Sequence, residues 1–572
     1  MRKVVALLLL IVLVAHAENY VVVNSMDGRD VLSGIFYANV MNYPVKFMPY
    51  PGGNADMLAL KVGPGQEILL IQSSDSPVTG FLKDALERRG SEVELYESAD
   101  GGQTNLDLAV KSGADRFIIV DSAYSDGALS VMSYAALSGS YVILSHRDNA
   151  DEVKDVVEDA EEVIVYGYID SAVKEAILDL NPIYIGKGED RYEDNVEICR
   201  LTMDEYNIES VVFTEGTFIE EGMVSSRIPF VLSGRLVPQV TYDFVKDMVR
   251  EGDLKVGYLI GGTQITATIR NMREGIEREL LAEGNNNTFG IWLRQAQVLP
   301  QSGEGVVNLD SFPLPAYIPE LNISEVIYNT ATKRLMVRID NLGDGPAYFL
   351  TETSIKVDGT NYKTFTANET QLLEYGDVAG LQYPFDLSEI EEGEITAVII
   401  VKYGSGKNTL EEYEYYSGPI AEVTYLDDSN VTAKSAKYDG SEKVMLVTLK
   451  NNQNETAYAS SDIELVLDGE TVRVRGPKND EIPPNTMVTH EYFVELTGDD
   501  LAQNPEVDVY LDYGEREGFL VNSAVYSLPL EYDMFPWWLL ILLLVLLIIA
   551  GVIYYYWTRN KKPEGKRPFK KG

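Results

Sequence analysis

Histidine carries most acid–base chemistry near neutral pH, and this chain of 572 residues has only three histidines. His16 lies in an N-terminal apolar segment. His146 and His490 lie in regions with different sequence patterns, which predict different domains. A Ser-His-Asp set in the N-terminal half would have to use His146, which follows a strand-like run ending at Ser145. We interpret His146 as a surface loop residue and predict no catalytic set.

Phosphate and metal motifs are also missing from the sequence. It has no Gly-x-Ser-x-Gly elbow, no P-loop and no Gly-x-Gly-x-x-Gly. The nearest candidate, Gly186-Lys-Gly-Glu-Asp-Arg191, has an acidic pair where a phosphate would bind. Three histidines and one cysteine argue against a zinc site. We therefore predict a protein without a cofactor and without enzymatic activity.

Carboxylates are abundant and leave two alternatives open. Asp27, Asp30, Asp121 and Asp126 follow strand-like runs and could ligate calcium, although capping of the next helix is the preferred interpretation. The cluster Asp427-Asp428-Ser-Asn430 is interpreted as a turn. A carboxylate pair for glycoside hydrolysis remains possible among 89 acidic residues, but a solvated acidic surface is favoured.

The single cysteine, Cys199, excludes an intrachain disulfide. It lies on the apolar face of a helical pattern with Val196, Ile198 and Leu201. Burial on such a face disfavours the thiolate, so we predict a small apolar core residue rather than a nucleophile.

The N-terminus has the pattern of a secretory signal peptide. Arg2 and Lys3 precede an apolar run from Val4 to Val14, and Ala15-His-Ala17 provides a cleavage site. The run is too short to span a bilayer. We predict a signal peptide over residues 1–17.

Near the C-terminus, residues 535–557 carry no charge and are long enough to cross a membrane. Trp537 and Trp538 flank one end and Tyr554 to Trp557 the other, as in interfacial aromatic belts. Seven basic residues follow in the tail at 558–572. The positive-inside rule predicts a single-pass membrane helix, an extracellular N-terminal region and a cytoplasmic tail.

Between these ends the chain is strongly acidic. The whole sequence has 47 Lys plus Arg and 89 Asp plus Glu, a net charge of −42. Leaving out the nine basic residues of the two ends and Glu564 gives a net charge of about −50 for the predicted external region. This charge repels nucleic acid and other polyanions. We predict no nucleic-acid partner.

Two different sequence patterns divide the external region. Residues 18–299 alternate apolar strands with amphipathic helices, which predicts an α/β fold of parallel sheets covered on both faces. A Pro-rich linker is predicted at 300–319. Alternating β patterns then predict two sandwiches of the immunoglobulin-like type, at 320–419 and 420–533, because similar motifs recur about 110 residues apart. One example is Ile355-Lys-Val-Asp-Gly and Leu465-Val-Leu-Asp-Gly.

The α/β half is itself repetitive. Three segments, 20–49, 117–145 and 210–233, share a strand, an acidic loop, a helix and a second strand, with a period of about 95 residues. This pattern predicts three separate α/β modules rather than one continuous sheet.

Five N-x-Ser/Thr sequons lie in the predicted external region and are candidate glycosylation sites. They begin at Asn286, Asn322, Asn368, Asn430 and Asn454.

The α/β half resembles the type 2 cell-wall-binding repeat of prokaryotic surface proteins. Residues 163–177, from Val163-Ile-Val-Tyr-Gly, are followed by Gly188-Glu-Asp-Arg-Tyr192, similar to the family's Gly-x-Asp-Arg-Tyr. Asp126-Gly-Ala-Leu-Ser resembles its Asp-Ala-Leu-Ser, and Asp194 replaces its usual Thr. The resemblance implies Rossmann-like modules, motif residues Asp126, Asp190, Arg191 and Tyr192, and binding to anionic envelope polymers.

Together these observations predict a membrane-anchored, non-enzymatic surface protein of a prokaryote, most consistent with an archaeon. Its α/β head would stand on a sandwich stalk and contact envelope glycans, surface-layer proteins or neighbouring cells. The alternatives are a solute-binding receptor, because clefts between α/β modules bind small ligands, and an envelope glycan-processing enzyme.

Overall fold

The computed structural model describes residues 19–50, 53–224, 227–233, 236–261, 263–296, 311–315, 317–390, 393–440, 443–467, 469–494 and 496–532. The predicted signal peptide at 1–17, the membrane helix at 535–557 and the basic tail lie outside these residues, as does most of the predicted linker. None of the helices in the described ranges is long and apolar enough to cross a membrane. The chain divides into two compact units, before and after the boundary between Leu426 and Asp427.

The first unit begins with three α/β modules that have the same strand order. Each contains a four-stranded, fully parallel sheet in which the second strand lies outside the first, followed by the third and fourth. The prediction of repeated, separate α/β units is confirmed. The central strands are largely buried because both faces of the sheets carry helices, whereas the fourth strands of the first two modules are partly exposed.

Modules 1 and 2 are complete copies. Module 1 consists of β1 Asn19–Asn24, α1 Gly28–Met41, β2 Val45–Phe47, α2 Ala55–Val62, β3 Glu67–Ser73, α3 Leu82–Glu87, β4 Glu92–Ser98 and α4 Gly101–Ser112. Module 2 consists of β5 Arg116–Asp121, α5 Ser125–Ser138, β6 Tyr141–Ser145, α6 Ala150–Val157, β7 Glu162–Tyr166, α7 Ser171–Ile177, β8 Ile183–Ile185 and α8 Arg191–Tyr206.

Module 3 departs from the pattern at its first helix. It consists of β9 Ser210–Thr214, β10 Phe218–Glu220, α9 Glu221–Val224, β11 Phe230–Leu232, α10 Gln239–Glu251, β12 Val256–Gly261, α11 Thr263–Ala282 and β13 Gly290–Ala296. Here α9 has four residues where its counterparts α1 and α5 have 14 each. The extra strand β10 pairs with β14, Ser311–Pro313, which follows module 3 in the chain.

The modules close into a ring. Helix α1 packs on β6 of module 2, α5 packs on β11 of module 3, and α9 packs on β2 of module 1. One continuous apolar core joins residues of all three modules. At the third junction, Lys46 of β2 forms an ion pair of 2.9 Å with Glu221 of α9, and Phe312 of β14 packs against Phe47.

A buried asparagine fixes each of the first two junctions. Asn105 of α4 forms hydrogen bonds with the backbone of β6, and Asn195 of α8 does the same with β11. Both side chains are fully buried. Because a buried amide must satisfy both its donor and its acceptor, this pairing fixes the register between neighbouring modules.

The first β domain completes the first unit. Its strands form two sheets, in the orders β20-β16-β15-β23 and β18-β17-β21-β22, and their inner residues share one core. The strands are β15 Leu321–Asn329, β16 Arg334–Asn341, β17 Ala347–Val357, β18 Thr360–Thr366, β19 Gln371–Leu373, β20 Val378–Pro384, β21 Ile395–Gly404, β22 Glu412–Pro419 and β23 Ala421–Val423.

The second unit is a further all-β domain. Its strands are β24 Val431–Asp439, β25 Val444–Asn451, β26 Ala457–Leu467, β27 Glu470–Arg475, β28 Asp480–Ile482, β29 Met487–Phe493, β30 Glu506–Gly514 and β31 Asn522–Tyr532, with helix α12 at Gly498–Gln503. Strand β31 pairs with both β30 and β24, so all eight strands belong to one sheet.

The duplication predicted from the sequence extends to single hydrogen bonds. The β15–β16 pair has an irregularity between Ile323 and Glu325, and the β24–β25 pair has one between Ala433 and Ser435. Asn341 donates to Gly345 O at 2.8 Å, and Asn451 donates to Glu455 O at 2.8 Å. These two domains are therefore copies of one all-β design.

Candidate functional site

The candidate site lies at the carboxyl ends of the module 2 strands. The first and third strands, β5 and β7, are neighbours in the sheet, while the second strand lies on the far side of β5. At such a change of direction the loops after the two strands separate, and α/β folds place their ligands there. The loops that follow are residues 122–124 and 167–170.

The four residues named by the family resemblance converge at this end of module 2. Asp190 caps α8 by accepting hydrogen bonds from the backbone N–H groups of Tyr192 at 2.8 Å and Glu193 at 3.4 Å. Arg191 donates to Asp126 at 2.9 Å and to the Tyr192 hydroxyl at 2.9 Å. Tyr192 is buried. The motif thus caps one helix and ties it to the start of another.

Asp194, where the family has Thr, fixes the loop before α8. Its carboxylate accepts hydrogen bonds from the backbone N–H groups of Lys187 at 2.8 Å and Gly188 at 3.2 Å. Burial raises its pKa to about 6. A side chain at Gly186 would meet Asp194 Oδ1 at 2.4 Å, and Gly186 has a φ of +83°. The loop is therefore built around this carboxylate.

The first β domain covers this end of module 2. The Tyr348 hydroxyl donates to Gly188 O at 2.7 Å, and the Thr409 hydroxyl donates to Asp190 Oδ2 at 3.1 Å. Lys407 donates through its backbone to Glu189 O at 2.8 Å. The motif residues therefore form part of an interface between domains, and the space left among them has a volume of about 40 Å³.

Arg147 is the centre of a second group of contacts between the same domains. Its guanidinium lies 3.1 Å from Asp170 of module 2 and 3.4 Å from both Glu374 and Asp377 of the first β domain. Glu374 also accepts a hydrogen bond from the Ser171 hydroxyl at 2.7 Å. Sequence reasoning singled out neither Arg147 nor Glu374.

Carboxylates outnumber cations in this interface, and their pKa values reflect it. Burial raises the pKa of Asp121 to about 7, with the charges of Asp170 and Glu374 acting in the same direction. Burial also raises the pKa of Glu374 and lowers that of Lys174. The interface therefore binds protons more readily than separate, hydrated carboxylates would.

The aspartates considered as calcium ligands have other partners. Asp27 caps α1 by accepting from Arg29 N at 2.8 Å, and Asp30 accepts from the Ser98 hydroxyl at 2.7 Å. Asp121 accepts from Ala123 N at 2.8 Å, and Asp126 pairs with Arg191. In the described part of the chain, no three His, Cys, Asp or Glu side chains converge to hold a metal ion.

The remaining sequence candidates fall in structural positions. His146 begins a short 3₁₀ helix, and its ring lies 5.0 Å from that of Tyr375, edge to face. Cys199 is fully buried, as predicted, and its thiol lies 3.2 Å from Phe230 O. Burial raises the pKa of this thiol.

His490 belongs to a polar group that the sequence did not reveal. Its Nδ1 lies 2.5 Å from Ser461 Oγ, and its Nε2 lies 3.3 Å from Asp480 Oδ2. The Ser461 hydroxyl also contacts that of Tyr492. His490 is 0% and Ser461 2% exposed, so this serine is closed to a substrate and the group works as a polar link between β26 and β29.

The sequons lie at or near the surface of the described domains. The asparagines at 286, 368, 430 and 454 are exposed, and Asn322 is half-buried. Asn454 accepts a hydrogen bond from Asn485 at 2.9 Å. Glycosylation of these residues stays a prediction.

No protein-family model and no curated protein matches this sequence. Among solved structures, Cwp8 from Clostridium difficile aligns at 16% identity over 46% of this chain and 48% of its own, with a TM-score of 0.38. Cwp6 from Clostridium difficile aligns at 15% identity over 45% and 43%, with a TM-score of 0.35. The YadV chaperone aligns at 11% identity over 37% and 99%, with a TM-score of 0.15. The chain spans less than half the length of Cwp8 and Cwp6, and its architecture is established by its own strand order and pairing.

Proposed function

We propose that this chain is a non-enzymatic cell-surface protein of a prokaryote, held in the membrane by residues 535–557. Its ring of α/β modules contacts the cell envelope, and its immunoglobulin-like β domains form the stalk. The observation that carries this proposal is the docking of the first β domain on module 2. Residues from both sides form one interface, which joins the ring to the first stalk domain.

The charge of the external region bears on the kind of envelope partner. The sequence resemblance implies binding to anionic polymers. A net charge of about −50 opposes such binding. We therefore propose association with neutral envelope glycans or surface-layer proteins. The archaeal origin is part of the same proposal and rests on the sequons, the acidity, the single cysteine and the membrane segment.

Cysteine labelling of intact cells tests the proposed topology. The native Cys199 is fully buried, so a membrane-impermeant maleimide should leave the unmodified protein unlabelled. Phe81 is 72% exposed, so Phe81→Cys provides an accessible thiol in module 1. We expect Phe81→Cys to react on intact cells and Lys571→Cys, in the tail, to react only after permeabilisation. The reverse pattern would refute the proposed orientation.

A receptor for small solutes is the second candidate function. Two clefts of about 870 and 980 Å³ lie beside the module junctions, near the upper end of the roughly 300–1,000 Å³ of small-molecule sites. A thermal-shift screen separates the two functions, because a small peptide or other non-glycan solute that raises the melting temperature of the full-length chain would favour a receptor.

A further inference from the structure

Two clefts occupy equivalent positions at the first two module junctions. Cleft A lies between the N-terminus of α4 in module 1 and the end of β6 in module 2. Cleft B lies between the N-terminus of α8 in module 2 and the segment before α10 in module 3. Loops of the first β domain form one wall of each cleft: Asp344 and Tyr375 in cleft A, and residues 408–412 in cleft B.

At the third junction, the chain itself lies at the end of the corresponding strand. The Phe312 ring lies 6.3 Å from those of Phe47 and Tyr50, at and beyond the end of β2. Phe312 is 1% exposed. The three junctions therefore differ in access to solvent. Residues 311–315 close one of them, and the other two have open clefts.

The cations that line the open clefts are already neutralised. In cleft A, Arg29 lies 2.8 Å from Asp27 and 3.5 Å from Asp100. In cleft B, Arg191 lies 2.9 Å from Asp126. An anionic ligand could bind these cations only by displacing their carboxylate partners. Binding would then leave those carboxylates without a cation, which is costly.

Cleft A instead offers exposed hydrogen-bond acceptors beside aromatic rings. Asp148, Glu152 and Asp344 are exposed carboxylates in its wall. Tyr375 packs edge to face on His146, which fixes both rings. Carboxylates accept hydrogen bonds from hydroxyl groups, and the electron-rich face of an aromatic ring attracts the polarised C–H groups of a sugar. A charged polyanion would be repelled by the same wall.

We propose that cleft A binds a neutral, hydroxyl-rich glycan. This inference rests on the proposed function and specifies the class of ligand that the ring of α/β modules binds. The site combines module 1, module 2 and the first β domain, so it exists only while that domain is docked. Cleft B also has an excess of carboxylates, with Asp190, Glu193, Glu411 and Glu412 in its wall, but its Tyr192 ring is buried and its Asp190 already caps α8.

The test uses the full-length chain, solubilised and applied to an array of neutral, amino-bearing and acidic glycans. We expect binding to neutral glycans and none to uronic-acid or sulfated ones. Glu152→Lys should weaken neutral-glycan binding at least tenfold. Asp151→Lys, an equal charge change on the adjacent exposed residue outside the cleft, should leave it unchanged.

A second variant controls for the possibility that loss of binding reflects misfolding. Tyr375→Ala removes one aromatic ring of the wall without changing charge. We expect it to weaken neutral-glycan binding, and its melting temperature reports whether the fold is kept. Binding of acidic glycans only, of no glycan, or equal binding by all variants would overturn the proposal. Cell-surface labelling at Phe81→Cys together with failure on the array would leave the proposed location standing and reject only the ligand class.

Discussion

Asn105 and Asn195 occupy the fifth position of α4 and α8 and bridge two successive module junctions in the same way. Asn105 accepts from Leu144 N at 2.8 Å and donates to Val142 O at 3.1 Å. Asn195 accepts from Leu232 N at 2.8 Å and donates to Phe230 O at 2.7 Å. This equivalence shows that the first two junctions of the ring repeat one contact.

Removing either amide should therefore loosen the ring. Asn105→Ala leaves the buried N–H of Leu144 and the carbonyl of Val142 unpaired, which we expect to lower the free energy of unfolding by about 2–3 kcal/mol. Asn195→Ala should have a similar effect. Urea denaturation measures both, with the exposed Asn286→Ala as control. A loss below about 0.5 kcal/mol would show that the junctions do not depend on these amides.

Arg147 should hold the first β domain against module 2. Arg147→Met leaves Asp170 buried and Glu374 partly buried without their cation. We expect the free energy of unfolding to fall by about 2 kcal/mol, less than for a fully buried ion pair, because the Arg147 side chain is 31% exposed. The double variant with Glu374→Gln should recover part of this loss.

A surface ion pair provides the matched control for Arg147. Arg88 lies 3.1 Å from Asp56, and both side chains are more than 60% exposed. Arg88→Met should change stability by less than about 0.5 kcal/mol. If the Arg147 and Arg88 variants behaved alike in denaturation, the interface would not depend on Arg147.

Proton binding at Asp121 should stabilise the folded chain at low pH. Its pKa is raised to about 7 from an unfolded value of 3.8, so the native state holds a proton that the unfolded state releases. This stabilisation is complete below about pH 4 and is lost as the pH rises towards 7. Asp121→Asn keeps an acceptor for Ala123 N without the charge.

Denaturation of both proteins from pH 4 to pH 8 gives the comparison. As the pH rises across this range, the free energy of unfolding of Asp121→Asn should increase relative to that of the unmodified protein by up to roughly 4 kcal/mol. Contributions of carboxylates far from Asp121 cancel in the difference between the two proteins, whereas Asp170 and Glu374 titrate together with Asp121. A constant difference would mean that Asp121 is not the group that titrates.

Phe312 should be needed to close the ring. Phe312→Ala leaves a cavity next to Phe47 and Tyr50, and we expect a loss of about 3–5 kcal/mol. Phe81→Ala, on a side chain that is 72% exposed, should cost little. Equal denaturation midpoints for the two variants would contradict the assigned position of residues 311–315.

The sequence predicted the repeated elements because burial periodicity is local. It located the three modules and the duplicated β domains. The family resemblance named Asp126 and Arg191 as motif residues, but their contact was not predicted. It missed Arg147 and Glu374, which lie 227 residues apart and have no pattern in common. Asn105 and Asn195 did leave a signal, because each follows a helix-capping aspartate, Asp100 or Asp190, by five residues. The His490 group joins strands that only the folded sheet brings together.

The most direct test of the account is co-sedimentation of the detergent-solubilised full-length chain with cell envelope from which the membrane lipid has been extracted, in the presence and absence of soluble neutral glycan. We expect the unmodified protein and Asp151→Lys to sediment with the envelope and to be released by the neutral glycan, and Glu152→Lys to stay in the supernatant. Sedimentation that only an acidic glycan reverses, or that Glu152→Lys shares in full, would contradict the account.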